Sequence, residues 1–294
     1  MSGDVFSETR SLCPECLEPI PAVRVRRGAD VYMRKTCVRH GEFEVILWRG
    51  DPSYTEWDNV KAPWHPEYPA TSVDRGCPLD CGLCPDHRQQ TCTALLEVTL
   101  RCHAGCAFCF AGSHPDRKPD PDMSLIKSWL ESLLIGSASC NIQLSGGEPT
   151  LRNDLPEIVA LGKSMGFELV QLNTNGLRLA IDPQFVESLK KAGLSSVFLQ
   201  FDGTQDVVYR SLRGKPLLES KIAAIQNCRA QEIGVVLVPT IVPGINDCEL
   251  GTILQFALDN LPTVRGVHFQ PVSYFGRYPW PPRDHDRVTI PEII

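Results

Sequence analysis

No stretch of this sequence approaches the roughly 18 consecutive apolar residues that a membrane-spanning helix needs. The opening residues, MSGDVFSETR, lack the apolar core of a secretory signal. Positive charge is also in short supply: 29 lysines and arginines against 35 aspartates and glutamates leave a formal charge of -6, which argues against a nucleic-acid surface. A disulfide framework is missing too. The thirteen cysteines are odd in number, and ten of them fall into three groups before Phe110. These absences lead to the expectation of a cytoplasmic chain that binds no nucleic acid, with peripheral membrane contact left open.

What is present is enough apolar residue, 43% of 294, for one large domain and a small one. Composition places the boundaries at 1–50, 51–93 and 94–294. The first region alternates like strands in VRVRRGADVYMRKT, and the second is rich in proline and aromatics and reads as an ordered connector. From Ala94 onward, short apolar strands alternate with amphipathic helices. The strands are ALLEVTL, CNIQLSGGEP with its turn, FELVQLNTNG, SSVFLQFDG, IGVVLVPTIV and VRGVHFQPV, and five helical stretches separate them. Six strands alternating with five helices predict an α/β fold with a parallel sheet and right-handed crossovers. At the end, Thr289 reads as an N-cap, with Pro291 in the first turn and Glu292 three residues on. That signal predicts a sixth helix cut short at Ile294.

The cysteine groups carry the chemistry. Cys77, Cys81, Cys84 and Cys92 supply four thiolates in one loop, enough to saturate a [4Fe-4S] cube, with tetrahedral zinc as the alternative. The stretch CHAGCAFCF places Cys102, Cys106 and Cys109 directly after the first barrel strand, where barrel enzymes assemble their sites, and no fourth cysteine follows closely. Three thiolates hold three irons and leave one coordination position for a ligand, unless a distant residue such as Cys140 completes the set. Cys13, Cys16, Cys37 and His40 have the spacing of a metal ribbon that takes zinc or a mononuclear iron. Cys140, Cys228 and Cys248 stand alone and read as small packed residues. One strand after the three-cysteine loop comes LSGGEPT, whose glycines permit close backbone approach and whose carbonyls and carboxylate can accept from an ammonium group.

CHAGCAFC followed by SGGEPT resembles the radical S-adenosylmethionine (SAM) superfamily, and the six-strand alternation matches its partial (β/α)6 barrel. The resemblance implies that Cys102, Cys106 and Cys109 hold a [4Fe-4S] cluster whose open iron chelates S-adenosylmethionine. One electron then generates a 5′-deoxyadenosyl radical that abstracts hydrogen from a substrate. It further implies that Gly146, Gly147, Glu148 and Pro149 hold the cofactor's amino group. Asn173, Asn175, Gln200 and Asp202 are expected at its ribose or carboxylate, and Arg213 at the carboxylate. VPTIVPGIND and HFQPV are expected to flank the adenine through backbone groups, and Phe108 to cover the cluster or stack near the adenine. For Asn173, Asp202 and Arg213 the plainer readings are loop capping or a solvated charge.

The order of ribbon, CPLDCGLCPDH loop, radical cluster and GGEPT is similar, over essentially the whole chain, to the tetraether lipid synthases and their dihydro-hydroxymethylpterin methyltransferase relatives. This narrower resemblance implies a mononuclear iron in the ribbon, an auxiliary [4Fe-4S] cluster on Cys77, Cys81, Cys84 and Cys92, and a further cluster in a C-terminal region that these 294 residues lack. It also implies a lipid or small-molecule substrate and an electron donor such as ferredoxin or flavodoxin. Coupling of lipid chains and C-methylation of a pterin are the two reactions it offers. SYFGRYPWPP is expected either to pack against a further domain or to border an apolar tunnel. Two readings of other classes stand beside these: an iron-sulfur electron-transfer protein, which leaves GGEPT unexplained, and a zinc-ribbon interaction module, which covers residues 1–50 only.

Overall fold

The computed structural model describes residues 3–57, 64–66, 68–69, 71–76, 79–80, 84–87, 90–116, 119–136 and 140–294. Its contacts divide the chain into two units, Met1–Ala62 with Pro282–Ile294, and Pro63–Pro281.

In the first unit, strands β1 (Asp4–Leu12), β2 (Pro19–Arg27), β3 (Asp30–Cys37) and β4 (Gly41–Trp48) form an antiparallel meander in sequence order. The period of two puts Val25, Val31, Ile46 and Trp48 inside. A one-turn helix, α1 (Tyr54–Trp57), follows, with the Tyr54 ring edge-on to Trp48 at 5.7 Å. The last thirteen residues belong to this unit, not to the barrel as the 94–294 boundary has it. Arg49 explains the difference. Its backbone N–H donates to Thr289 Oγ1 (3.2 Å), and its guanidinium binds the carbonyls of Asp284 and Arg287 and the Glu292 carboxylate. The helix-start signal at Thr289 is real, since its N–H donates to Glu292 Oε2 at 2.7 Å, but what it opens is a three-residue 3-10 turn, Ile290–Glu292.

The second unit carries six parallel strands: β5 (Thr93–Thr99), β6 (Asn141–Gly146), β7 (Val170–Thr174), β8 (Ser196–Gln200), β9 (Gly234–Val238) and, after a two-residue β10 (Thr240–Ile241), β11 (Val264–Val267). They pair in sequence order, and β10 pairs with β12 (Gln270–Pro271) beside them. Between the strands lie α2 (Met123–Gly136), α3 (Leu155–Ser164), α4 (Leu177–Ile181) with α5 (Pro183–Lys191), α6 (Asp206–Arg213) with α7 (Leu218–Ala230), and α8 (Leu250–Asp259). Two of the five predicted helices, α5 and α7, are each preceded by a further helix, α4 and α6, that the sequence reading did not include. Asp182 ends α4 and caps α5 by accepting from Phe185 N–H (3.0 Å), and Gly214, at φ +77°, ends α6.

Alternation along the strands sets up the site. Ile142, Leu144, Leu172, Val197, Leu199, Val235 and Leu237 point to the helix side, each at most 1% exposed, and with Ile126, Leu130, Ile158 and Ile225 make one apolar core. Gln143, Ser145, Asn173, Phe198, Gln200 and Val238 take the opposite face and line a cavity. The sheet is held by its apolar face, which leaves the polar face free for chemistry.

Candidate active site

The cavity, about 390 Å³, opens at the carboxyl ends of the strands and is walled on one side by Cys102, Cys106 and Cys109. The cysteine loop is fixed at several points. Arg101 pairs with Asp120, which also accepts from Thr99 Oγ1 (2.6 Å), at the loop's start. Ala107 N–H donates to Leu212 O (3.2 Å) in its middle. Phe108 is 6% exposed, set edge-on to Tyr274 and Trp280 and packed with Val208, Leu212, Val242 and Val272. It anchors the loop in a small second core.

Arg277, which sequence reasoning passed over, holds this loop through both its backbone and its side chain. Its backbone exchanges two hydrogen bonds with Cys109 (2.8 and 2.9 Å), and its guanidinium donates to Cys106 O (2.8 Å) and Ser113 O (2.9 Å). Gly276 makes the approach feasible, because a Cβ there would lie 2.2 Å from Phe110 O. The aromatic segment SYFGRYPWPP thus packs against the cysteine loop, a partner that neither expectation named. Its only sequence signal is the glycine-arginine pair inside an aromatic run.

The GGEP turn closes the next wall. Its glycines press on the strand that leads into the cysteine loop: a Cβ would fall 1.9 Å from Thr99 O at Gly146 and 2.2 Å from Arg101 O at Gly147. This contact lets Gly147 N–H reach Thr99 O (2.7 Å) and Glu148 N–H reach Arg101 O (2.8 Å), extending the β5–β6 pairing to the edge of the cysteine loop. Glu148 is 4% exposed. Its Oε1 accepts from Thr150 N–H, Thr150 Oγ1 and Thr174 Oγ1, and its Oε2 from Asn175 N–H (2.7 Å). The carboxylate borders the cavity, yet its bonds tie GGEP to the turn after β7. Pro149 begins a buried 3-10 turn, Pro149–Leu151. Asn175 is likewise engaged, its Oδ1 capping Leu177 N–H (2.9 Å).

Asp202 and Arg213 form a buried bidentate pair (2.7 and 2.8 Å), 0% and 6% exposed. The carboxylate beside it outweighs burial and raises the Arg213 pKa, so the guanidinium stays charged. Arg213 borders the cavity and donates to Phe108 O (3.3 Å); Asp202 sits behind it, also accepting from Thr240 N–H (3.2 Å). Gln200 lines the cavity and accepts from the fully buried Lys221 (3.2 Å). Asn173 stands at the end of a directional ladder. It donates to Gln143 (3.5 Å), Gln143 to Gln171 (2.6 Å), and Gln171 to Ser196 (2.7 Å). The ladder leaves Asn173 Oδ1 buried without a partner among the described residues. His268, on the same wall, packs its ring on Phe198 at 5.8 Å; sequence reasoning had assigned only backbone groups to HFQPV.

The donor set fits the group that the cysteines imply. Three thiols line one cavity with two buried oxygens that have no partner among the described residues, Asn173 Oδ1 and Ser113 Oγ. Burial is the largest influence on the Cys102 thiol and raises its pKa against the opposing hydrogen bond from Ala104 N–H; a bound cation reverses that direction. In the first unit, ligand atoms of Cys13, Cys16, Cys37 and His40 lie within 4.8 Å of one another, close enough for one metal ion to reach all four. Of the second four-cysteine group, Cys84 is buried and Cys92 exposed, while Cys77 and Cys81 lie outside the described residues. Cys228 is an inert core thiol, its pKa pushed up to about 12 by burial; Cys140 is partly buried and Cys248 exposed.

Residues 96–257, more than half of the chain, match the model of the radical SAM superfamily. The chain belongs to the radical SAM superfamily. Residues 5–49 match the HMPTM N-terminal zinc ribbon domain. A 7,8-dihydro-6-hydroxymethylpterin dimethyltransferase of Methanocaldococcus jannaschii is 43% identical over 98% of this chain and 57% of its own length. A GTP 3′,8-cyclase of Nautilia profundicola is 28% identical over 67% of this chain and 62% of its own length. This chain therefore spans less than two thirds of either relative. Among solved structures, Streptococcus suis SuiB bound to S-adenosylmethionine superposes with a TM-score of 0.52 at 17% identity, covering 64% of this chain and 42% of that one. The likeness confirms the radical SAM fold of the barrel unit.

Proposed function

We propose that this radical SAM chain holds a [4Fe-4S] cluster on Cys102, Cys106 and Cys109 and abstracts a hydrogen atom from its substrate. The observation that carries the proposal is the cavity itself: three cysteines, a GGEP turn locked to the strand behind them, and two unpartnered buried oxygens share one wall system. When bound, the cluster supplies one electron to the sulfonium of S-adenosylmethionine, breaking the bond from sulfur to the 5′ carbon and leaving methionine and a carbon radical that takes a hydrogen atom.

The chain's own residues bind, orient and exclude water. Arg277 and Phe108 fix the loop so that all three thiols face the cavity. Glu148 fixes the GGEP turn and the Asn175 turn relative to each other, leaving backbone carbonyls for an ammonium group. Gln200 and Arg213 face the cavity and offer donors to a carboxylate, with Asp202 holding Arg213 in place. Asn173 Oδ1 awaits an N–H or O–H donor. The electron comes from an external low-potential donor such as ferredoxin or flavodoxin. The auxiliary cluster on Cys77, Cys81, Cys84 and Cys92, and the ribbon metal on Cys13, Cys16, Cys37 and His40, complete this reading.

For the substrate, C-methylation of a pterin is favoured over lipid coupling. The methyltransferase relative supports it, and so do the amides of Gln143, Asn173 and Gln270 on the cavity wall, which match a heterocycle's ring donors and acceptors better than an acyl chain. The test is anaerobic reconstitution with iron and sulfide, then incubation with S-adenosylmethionine, dithionite and either 7,8-dihydro-6-hydroxymethylpterin or a saturated diether lipid. A methylated pterin, with 5′-deoxyadenosine formed in step, supports the reading. A carbon-carbon coupled lipid supports the alternative.

A further inference from the structure

Lys221, on α7, is the one fully buried lysine among the described residues, at 0% exposure. Its ammonium donates to Asn175 O (2.6 Å) and Gln200 Oε1 (3.2 Å), and it has no carboxylate within 4 Å among the described residues. The carboxylates whose charge it feels are already engaged. Asp202 grips Arg213 with both oxygens, and Glu148 serves four donors. A buried cation resting on two neutral oxygens costs stability, so the chain keeps it at a loss that packing alone does not explain.

Its placement supplies the reason. An ammonium has only donors, so it can meet only the carbonyl end of the Gln200 amide, which turns that side chain's NH2 toward the cavity it lines. Asn175 is pinned from both sides, its N–H by Glu148 and its C=O by Lys221. The wall then presents the Gln200 amide and the Arg213 guanidinium to the same space, with the Lys221 charge buried directly behind Gln200 and Asn175. We infer that Lys221 is a positioning residue for an anionic group: it aims the Gln200 amide at a carboxylate bound beside Arg213 and stabilises that carboxylate by its charge. The inference rests on the proposed function, in which the ligand carrying the carboxylate is S-adenosylmethionine.

The experiment measures binding, not turnover. The reconstituted chain is titrated under anaerobic conditions with S-adenosylmethionine and with 5′-methylthioadenosine, which has the nucleoside but no carboxylate. Lys221→Met should weaken S-adenosylmethionine by about tenfold, the worth of one hydrogen bond to a charged group, and leave 5′-methylthioadenosine within about twofold. Lys221→Arg, which keeps the charge, should recover part of the loss. Equal weakening of both ligands, or of neither, overturns the inference. If Lys221→Met does not fold, Gln200→Leu must show the same selective loss, and an unchanged ratio there overturns it too. Failure of the wild-type chain with a loaded cluster to bind S-adenosylmethionine at all would instead sink the proposed function.

Discussion

At the scale of single residues, two buried charged groups, Glu148 and Lys221, decide how the site is built. Glu148 accepts four hydrogen bonds, and Glu148→Gln removes acceptor capacity that an amide NH2 cannot replace. We expect it to lower stability of the barrel unit by about 1–3 kcal/mol, measured by hydrogen exchange of β6 and β7 in the full chain; unchanged protection would contradict the assignment. Lys221 makes a pH prediction. Burial lowers its pKa to about 8, with Asp202, Glu148 and Cys106 opposing burial and Arg213 adding to it, and with the Tyr209 ring 5.9 Å away. Because the unfolded chain keeps the lysine proton to higher pH, unfolding binds protons above about 8, and stability contributed by this group rises between there and the ordinary lysine value. The wild-type protein should gain thermal stability relative to Lys221→Met on that interval, and a parallel pair of curves would refute it. Neither role is legible in sequence. Lys221 sits in PLLESKIAAIQN as one more polar helical residue, and only the fold turns it inward.

At the scale of elements, the strands were readable because their apolar positions alternate, and the candidate site residues were legible as a cluster at strand ends: Cys102 after β5, Gly146 at the end of β6, Gln200 at the end of β8. The reason for the glycines in GGEP was not readable. Their flexibility suggested room for a ligand, whereas the clashes that a Cβ would make are with the backbone of Thr99 and Arg101. Gly147→Ala should therefore destabilise the turn by about 1–3 kcal/mol and reduce iron bound by the Cys102 loop, read as iron and sulfide per chain in a variant series lacking the other metal sites. Full loading with native stability would show that the contact is dispensable. Arg277 was invisible for a different reason: its partners are carbonyls 171 and 164 residues away in the chain, Cys106 O and Ser113 O. Arg277→Ala should lower loading of that loop, with the β5–β8 strands still protected from exchange.

At the scale of the whole molecule, composition suggests a ribbon before a barrel, but the return of residues 282–294 to the first unit depends on Arg49 and its four partners, which no local pattern announces. The ribbon has a small core, with Cys13, Ile20 and Cys37 as a separate buried cluster, so its metal should carry much of its stability. Removing that metal with a chelator should raise exchange throughout β1–β4 while β6–β9 keep theirs; equal protection with and without metal would mean that the ribbon folds on packing alone. The central claim concerns the other unit and is tested most directly by the yield of 5′-deoxyadenosine from S-adenosylmethionine and dithionite in the anaerobically reconstituted chain and in Cys102→Ala, Cys106→Ala and Cys109→Ala. The account predicts product from the parent chain and none above background from any of the three variants. Product that survives loss of one of these cysteines would contradict it.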